Sequence, residues 1–291
     1  MSPAGRLREL VHAPGCTLAP GAYDAWSARL IEQAGFEACY LGGYGAAASM
    51  LAMPDLSLIT GSQMADCAAR VADAISIPVI ADADTGFGDL LNLRHTVRSY
   101  LRAGVAAIQI EDQDFPKRSG HLEGKRVVDR DQMIAKIKVI KDIAGDDLLV
   151  VARTDALATD GLDEALARGK AYARAGSDIV FIEAPLSRDE LARIGQAGED
   201  GTPMLANMTE GGKTPYLPAE ELNRLGFAIV IFPVTALLAA TRALQTTLGG
   251  LMRDGAVHPS ALPGLADLNQ ISGVAEHLAY AARMSDQEPS S

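Results

Sequence analysis

The sequence predicts a (β/α)8 TIM barrel with extra C-terminal helices. Eight short apolar, β-branched runs each end in a polar residue, a proline or a glycine, and each is followed by a stretch of helical period. Gly35, Gly104, Gly176 and Gly226 follow helical runs, where a left-handed C-terminal cap favours glycine. Alternating strands and helices build a parallel sheet, and eight repeats are the number that closes a barrel. A chain of 291 residues is of ordinary size for such a fold.

The runs are justified in order by where each one stops. Thr17 to Ala19 stops at Pro20-Gly21, Ala38 to Leu41 at Gly42-Gly43, Pro78 to Ala81 at Asp82, and Ala107 to Ile110 at Glu111. Leu148 to Ala152 stops at Arg153, Ile179 to Ile182 at Glu183, Met204 to Ala206 at Asn207, and Ile229 to Phe232 at Pro233. The helical stretches are Ala25 to Ala34, Ser62 to Ile75, Leu91 to Ala103, Arg130 to Ala144, Leu162 to Ala175, Arg188 to Ala197 and Pro218 to Leu225. Val234 to Met252 reads as a long helix after the last strand, and Val274 to Met284 as a final one. The Pro-, Gly- and Ser-rich segment His258 to Gly273 is expected to turn the chain, and the tail Ser285 to Ser291 to fray. The expected division is a catalytic barrel over 1–255 and a helical extension with tail over 256–291.

Charge narrows the partners. A formal net charge of −11 repels nucleic acid and anionic membrane, so neither is expected, and a small-molecule carboxylate must be met by local cations. Cys16, Cys39 and Cys67 lack CxxC spacing and neighbouring His, which argues against a disulfide framework or a zinc site and fits a reducing cytoplasm. No apolar run approaches the length of a membrane span, and the N-terminal segment is charged and amphipathic.

In a barrel of this kind chemistry sits at the carboxyl ends of the strands. There the sequence places Asp82 and Asp84, two residues apart on an extended segment and so expected on one face. Glu111 closes the next strand and Asp55 lies in the loop after the second. Hard oxygen donors without His or Cys suit Mg²⁺ or Mn²⁺, with one aspartate ligating directly and the other through water. Helix capping is the competing role for the aspartates. Asp112 alternates away from Glu111 and is expected to fix a loop or an arginine.

The loop from Asp114 to Gly124, running on to Lys125, offers Lys117, Arg118, Ser119 and His121 on a segment bounded by Pro116 and hinged by Gly120 and Gly124, a composition suited to a lid over an anion; an exposed basic loop is the plain alternative. Arg153 at a strand end must find a partner, either a substrate carboxylate or Asp155 or Glu183. Glu183 faces the same choice between substrate and salt bridge. Asn207 and Thr209 can hydrogen-bond a carboxylate, and the turn Gly42-Gly43-Tyr44-Gly45 can aim backbone N–H groups at an oxyanion.

Taken together, Gly42-Gly43-Tyr44 with Pro54-Asp55-Leu56, Ala81-Asp82-Ala83-Asp84-Thr85-Gly86-Phe87-Gly88, Ile110-Glu111-Asp112-Gln113, Lys117-Arg118-Ser119-Gly120-His121, Ala152-Arg153-Thr154-Asp155-Ala156 and Ala206 to Gly212 resemble the isocitrate lyase and phosphoenolpyruvate mutase superfamily. The likeness spans roughly 8–255 and lies nearest the branch of methylisocitrate lyase, dimethylmalate lyase, oxaloacetate hydrolase and carboxyphosphonoenolpyruvate mutase. It implies a Mg²⁺-dependent carbon–carbon lyase or decarboxylase acting on a small 2-hydroxy or 2-oxo di- or tricarboxylate through an enolate. It further implies Asp82 as metal ligand, Asp84, Asp55 and Glu111 as holders of its waters, and Gly43 and Tyr44 as oxyanion donors. Arg153, Glu183 and Asn207 are implied as substrate contacts, and a homo-oligomer, tetramer or dimer, as the assembly.

Ser119 stands where the lyases of this branch carry a cysteine thought to protonate the leaving enolate, and Gly42 where they commonly carry serine. A serine hydroxyl is a far weaker acid than a thiol of pKa about 8.5. Three readings follow: His121, Tyr44 or water gives the proton; the enzyme decarboxylates or hydrolyses instead; or serine was introduced in place of cysteine. Phosphonate chemistry on the same metal site, of the mutase or phosphonopyruvate hydrolase type, and a non-catalytic oxyacid-binding relative are the rival functions.

Overall fold

The computed structural model describes residues 1–120, 122–257 and 262–285, and within them eight parallel strands close into a barrel in sequence order. They are β1 (Thr17–Ala22), β2 (Cys39–Leu41), β3 (Val79–Asp82), β4 (Ala107–Glu111), β5 (Leu149–Thr154), β6 (Ile179–Ile182), β7 (Met204–Asn207) and β8 (Ile229–Phe232). β8 returns to β1 with Thr17 opposite Ile229 and Pro20 opposite Phe232, which closes the ring. β1 therefore runs beyond the expected stop at Pro20-Gly21. Gly21 is what permits it: a Cβ there would lie 2.0 Å from the Pro233 carbonyl oxygen, so only a residue without one lets the β8 exit pass this close.

The helices of the barrel are α1 (Pro3–His12), α2 (Ala25–Gln33), α3 (Gly43–Leu51), α4 (Gly61–Ala74), α5 (Leu90–Ala103), α6 (Arg130–Ala144), α7 (Ala156–Asp160), α8 (Leu162–Arg174), α9 (Arg188–Gly195) and α10 (Ala219–Leu225). They are followed by α11 (Thr235–Asp254), α12 (Leu265–Ile271) and α13 (Val274–Ser285). Ser2 caps α1 by accepting the Gly5 N–H at 3.1 Å, and Pro3 takes a first-turn position where its missing N–H costs nothing. α1 buries Ala4, Leu7, Leu10 and Val11 in one cluster with the barrel's inner residues Ile80, Leu149, Val151, Phe181 and Ile229. A second cluster joins the outward faces of the strands to α2, α4, α5 and α6 through residues such as Leu41, Met64, Val71, Leu93, Val97 and Ile137.

Two local expectations are corrected. Gly42 to Gly45 is not a free turn: Gly42 is the N-cap of α3, and Gly43, Tyr44 and Gly45 are the first residues of the helix. The segment expected to turn over 258–273 contains α12, started by the Asp267 carboxylate accepting the Gly264 N–H at 2.8 Å; residues 258–261 lie outside the described residues. Ser285 still ends α13, and the rest of the tail, 286–291, also lies outside them.

The chain divides into two compact units, Met1–Leu238 and Ala239–Ser291. The second unit pairs α12 with α13 and leaves Leu244, Leu248, Leu251, Leu278 and Tyr280 exposed. Among the described residues no helix is long and apolar enough to cross a membrane. Cys16, Cys39 and Cys67 are free thiols, which burial pushes up to about 11, 12 and 11 respectively.

Candidate active site

A cavity of about 440 Å³ opens at the carboxyl ends of the strands. Gly42, Gly43, Tyr44, Asp55, Asp82, Ser119, Arg153, Glu183, Asn207 and Thr209 all line it, so residues read from seven separate segments meet in one place. Asp84, Glu111 and Lys117 stand just behind that surface, bonded to its lining. His121 lies outside the described residues.

Asp82 ends β3 with each carboxylate oxygen holding a backbone N–H: Oδ2 accepts from Gly43 and Oδ1 from Asp84, both at 3.0 Å. Tyr100 from α5 clamps the same residue from behind, donating its hydroxyl to the Asp82 carbonyl at 2.6 Å. Among the described residues no cation comes within ion-pair distance of Asp82. Asp84 approaches the same point, but not by strand alternation. The strand has ended, and Asp84 sits at φ 47°, a left-handed conformation that aspartate tolerates better than most residues. A Cβ placed on Gly43 would lie 3.1 Å from Asp82 Oδ2, 3.3 Å from Asp84 Oδ1 and 3.8 Å from Asp55 Oδ1, which locates three carboxylates around one point.

Lys117 bridges two of them, its Nζ 2.6 Å from Asp55 and 3.0 Å from Asp84. It is a buried counter-ion rather than a loose lid cation. Burial works against its ammonium, yet Asp84, Glu111 and Asp55 hold it charged well above the ordinary lysine range. One ammonium among so many carboxylates leaves surplus negative charge, and burial pushes the Asp84 carboxyl up to about 7 in spite of Lys117. Burial likewise raises Glu111 well above the usual carboxylate range against the pull of Arg153. Among the described residues both Glu111 oxygens lack a hydrogen-bond donor, with Arg153 Nη1 the near charge at 3.3 Å.

No three of the described His, Cys, Asp and Glu side chains form a metal cage by themselves. The donors nevertheless fit a hard cation that keeps most of its water: all are oxygens, and among the described residues Asp82 has no cation of its own and Glu111 has two unsatisfied buried oxygens.

Arg153, the penultimate residue of β5, stands inside a ring of acids. Its Nε meets Asp155 Oδ2 at 2.8 Å and its Nη2 Asp155 Oδ1 at 3.1 Å, while Nη1 faces Glu111 at 3.3 Å and Glu183 at 3.6 Å. The protein thus satisfies Arg153 with its own carboxylates while leaving it on the cavity wall. Asn207 donates through Nδ2 to both Glu183 oxygens at 3.3 Å and accepts the Thr209 hydroxyl at 2.9 Å. Asp112 turns away as expected and takes bonds from Thr154, Arg168 and Tyr172 at 2.7, 3.0 and 2.7 Å.

From the loop after β4, Ser119, Gly120 and Leu122 line the cavity. Gly120 fits between Arg153 and Glu183, where a Cβ would come within 2.8 Å of either side chain. Arg118 is not brought to the cavity: its Nη1 donates to the Glu123 carbonyl at 2.8 Å, on the exposed side of the loop. Gly43, expected to offer its N–H to an oxyanion, has given it to Asp82; the N–H of Tyr44, in the uncapped first turn of α3, carries no intrahelical bond.

Three positioning residues went unread. Gln113 staples the loop by donating to the Arg118 carbonyl at 2.9 Å and accepting its N–H at 3.0 Å. Lys125 reaches both the Gly120 carbonyl and Asp155 at 2.7 Å. Tyr40, on the cavity wall, accepts from Gln109 at 3.0 Å. Lys125 carried a signal as a charged member of the basic loop, and Gln113 stood in the Ile110–Gln113 motif without a role; Tyr40 carried none.

A closed parallel barrel with convergent, partly unsatisfied acids at its strand ends defines an enzyme of the (β/α)8 class. Residues 7–252 match the family described as phosphoenolpyruvate phosphomutase, and the chain belongs to it, within the isocitrate lyase and PEP mutase superfamily. It is 46% identical over 255 residues to 2,3-dimethylmalate lyase of Eubacterium barkeri, covering 87% of this chain and 88% of that one. It is 44% identical over 277 residues to 2-methylisocitrate lyase of Bacillus subtilis (strain 168), covering 95% and 89%. A crystal structure of 2,3-dimethylmalate lyase superposes with TM-score 0.92 at 38% identity, over 98% of this chain and 96% of that one. Phosphonopyruvate hydrolase in complex with oxalate and Mg²⁺ superposes with TM-score 0.87 at 31% identity, over 97% and 99%.

Proposed function

We propose that this enzyme is a Mg²⁺-dependent carbon–carbon lyase that cleaves a small 2-hydroxy or 2-oxo acid through an enolate and releases an oxyacid. The observation that carries the reading is the contrast among the acids. Asp55 and Asp84 have Lys117, Glu111 and Glu183 have Arg153, and among the described residues Asp82 alone of the lining aspartates faces the cavity with backbone donors only. The relatives named lyases and the Mg²⁺ and oxalate in the phosphonopyruvate hydrolase structure support it.

Asp82 would hold the ion directly, with Asp84, Asp55 and Glu111 bonded to its waters. Bound Mg²⁺ supplies Lewis-acid stabilisation of developing negative charge, worth several kcal/mol of barrier. Arg153, fixed along one edge by Asp155, presents its remaining N–H groups to a substrate carboxylate. Asn207, aligned by Thr209 and Glu183, donates its amide to the same end. Ser119 and Gly120 cover the bound acid and exclude water. Ser119, on the cavity lining, would deliver a proton to the leaving carbanion, while Lys117 would hold Asp55 and Asp84 in place; His121 and Tyr44 are the further candidates for the proton. The exposed apolar residues of α11 and α13 support assembly as a homo-oligomer, a tetramer or a dimer.

Incubating the protein with Mg²⁺ and a panel of malate, dimethylmalate, methylisocitrate and oxaloacetate is expected to release pyruvate, glyoxylate or a similar oxyacid from at least one. No release from any would contradict the proposal. Because serine is the weaker acid, Ser119→Cys is expected to raise cleavage by roughly 10²- to 10⁴-fold; equal rates in both forms would move the acid elsewhere. Ser119 also favours a second reading that needs no thiol, phosphonate turnover, which phosphorus NMR with phosphonopyruvate would detect.

A further inference from the structure

Lys136 is a buried cation that the proposed reaction does not use. It reaches in from α6, and its Nζ donates at 2.8 Å to the backbone carbonyl of Thr85. Among the described residues no carboxylate comes within ion-pair distance of it. Burial outweighs the pull of Glu111 and Asp112 and moves its ammonium below the ordinary lysine range. A charge held out of water against one main-chain carbonyl points to that carbonyl as the thing being held.

Thr85 belongs to the segment Asp82–Gly86, which carries two of the acids assigned to the ion, and every carbonyl of that segment has a donor. The Ala83 carbonyl accepts the Gly86 N–H at 2.8 Å and the Asp84 carbonyl the Glu111 N–H at 3.0 Å. The other three are taken by side chains: Asp82 by the Tyr100 hydroxyl at 2.6 Å, Thr85 by Lys136, and Gly86 by the Thr96 hydroxyl at 3.1 Å. Tyr100 and Thr96 come from α5, and both are buried.

The backbone they grip is one that needs holding. Asp84 lies at φ 47° and Phe87 at φ 58°, left-handed values for residues with side chains, and Gly86 and Gly88 lie at 100° and 138°. Such a run persists where its surroundings over-determine it. Mg²⁺ and Mn²⁺ tolerate little error in the placing of their oxygens, so a shift of this turn would reach the ion through Asp84.

We infer that Lys136, with Tyr100 and Thr96, is a positioning residue for the divalent ion. By fixing the carbonyls of Asp82, Thr85 and Gly86, the three hold the Asp82 and Asp84 carboxylates at the separation a small hydrated cation requires. This deepens the proposed function and rests on its assignment of Asp82 and Asp84 to the ion.

Electron paramagnetic resonance of free Mn²⁺, titrated with the full chain, reads the dissociation constant without turnover. Lys136→Met keeps most of the stem and removes the donor; it is expected to raise the Mn²⁺ Kd about 10- to 100-fold, and Tyr100→Phe about 10-fold. Lys136→Arg, which keeps a donor, is expected to bind Mn²⁺ closer to the unsubstituted protein than Lys136→Met does. Melts in EDTA separate positioning from packing, because a merely structural residue would lower Tm there and leave the Kd of the folded protein unchanged. Unchanged affinity in folded Lys136→Met, or in Tyr100→Phe should Lys136→Met fail to fold, overturns the inference if Asp82→Asn still abolishes binding. Failure of the unsubstituted protein to bind Mn²⁺, or undiminished binding in Asp82→Asn, removes the metal reading and this inference with it.

Discussion

Asp82→Asn is expected to lower kcat/KM by about 10³-fold, the rate equivalent of ~4 kcal/mol, and to abolish any rise in Tm on adding Mg²⁺. The substitution preserves size and one acceptor oxygen, so the Asp84 or the Gly43 N–H keeps its partner and the β3 end keeps its Tyr100 clamp. What disappears is the one lining aspartate whose charge the described protein leaves without a cation. In the unsubstituted protein, Mg²⁺ at 100 times its Kd stabilises the folded state by about 2.7 kcal/mol. Thermal melts with and without Mg²⁺, read beside steady-state rates, test both halves. A variant that keeps its Mg²⁺-dependent Tm would remove Asp82 from the metal site, whatever happened to the rate.

The largest loss of stability is expected at a neighbouring residue. Asp155→Ala strands two cations at once, because Asp155 accepts from Arg153 at 2.8 and 3.1 Å and from Lys125 at 2.7 Å, all nearly out of solvent. Removing one partner of a buried ion pair costs about 3–5 kcal/mol, and Glu111 and Glu183 beside Arg153 place the expected value at the lower end. Acid melts carry a sharper signature. Burial opposes ionisation of Asp155, but Arg153 and Lys125 overrule it and pull the carboxyl down to about 2. An aspartate in the unfolded chain titrates near about 3.9, so the folded state binds fewer protons and stability rises with pH. The contribution, roughly 2 to 3 kcal/mol, is whole above about pH 4 and fades as the pH falls through about 2. Asp155→Asn is expected to flatten the slope of stability against pH in that window by about one proton; an unchanged slope would remove Asp155 from the account.

Much of the fold is legible because barrel strands are short apolar runs whose ends are chemically marked: Asp82, Glu111 and Asn207 each close the strand that the sequence assigns them. The strand-end acids could be read for the same reason, since position relative to an apolar run fixes which end of the barrel a side chain reaches. Pairings through space could not. Lys117 meets Asp55 across 62 residues and Tyr40 meets Gln109 across 69, and no local pattern encodes such partners. Strand periodicity brought Asp82 and Asp84 together for the wrong reason, because a left-handed residue and not an extended one turns Asp84 inward. Gly43 was legible as a backbone donor but not as one spent on Asp82, and Arg118 was indistinguishable in sequence from the lysines that flank it and do reach buried acids.

The most direct test of the central claim is anomalous diffraction from a crystal grown with Mn²⁺ and oxalate. A metal peak is expected in the strand-end cavity at direct ligand distance from Asp82, about 2 Å, with oxalate between it and Arg153. Oxalate bound in the cavity with no metal peak there, or Asp82 engaged by a protein cation instead, would contradict it.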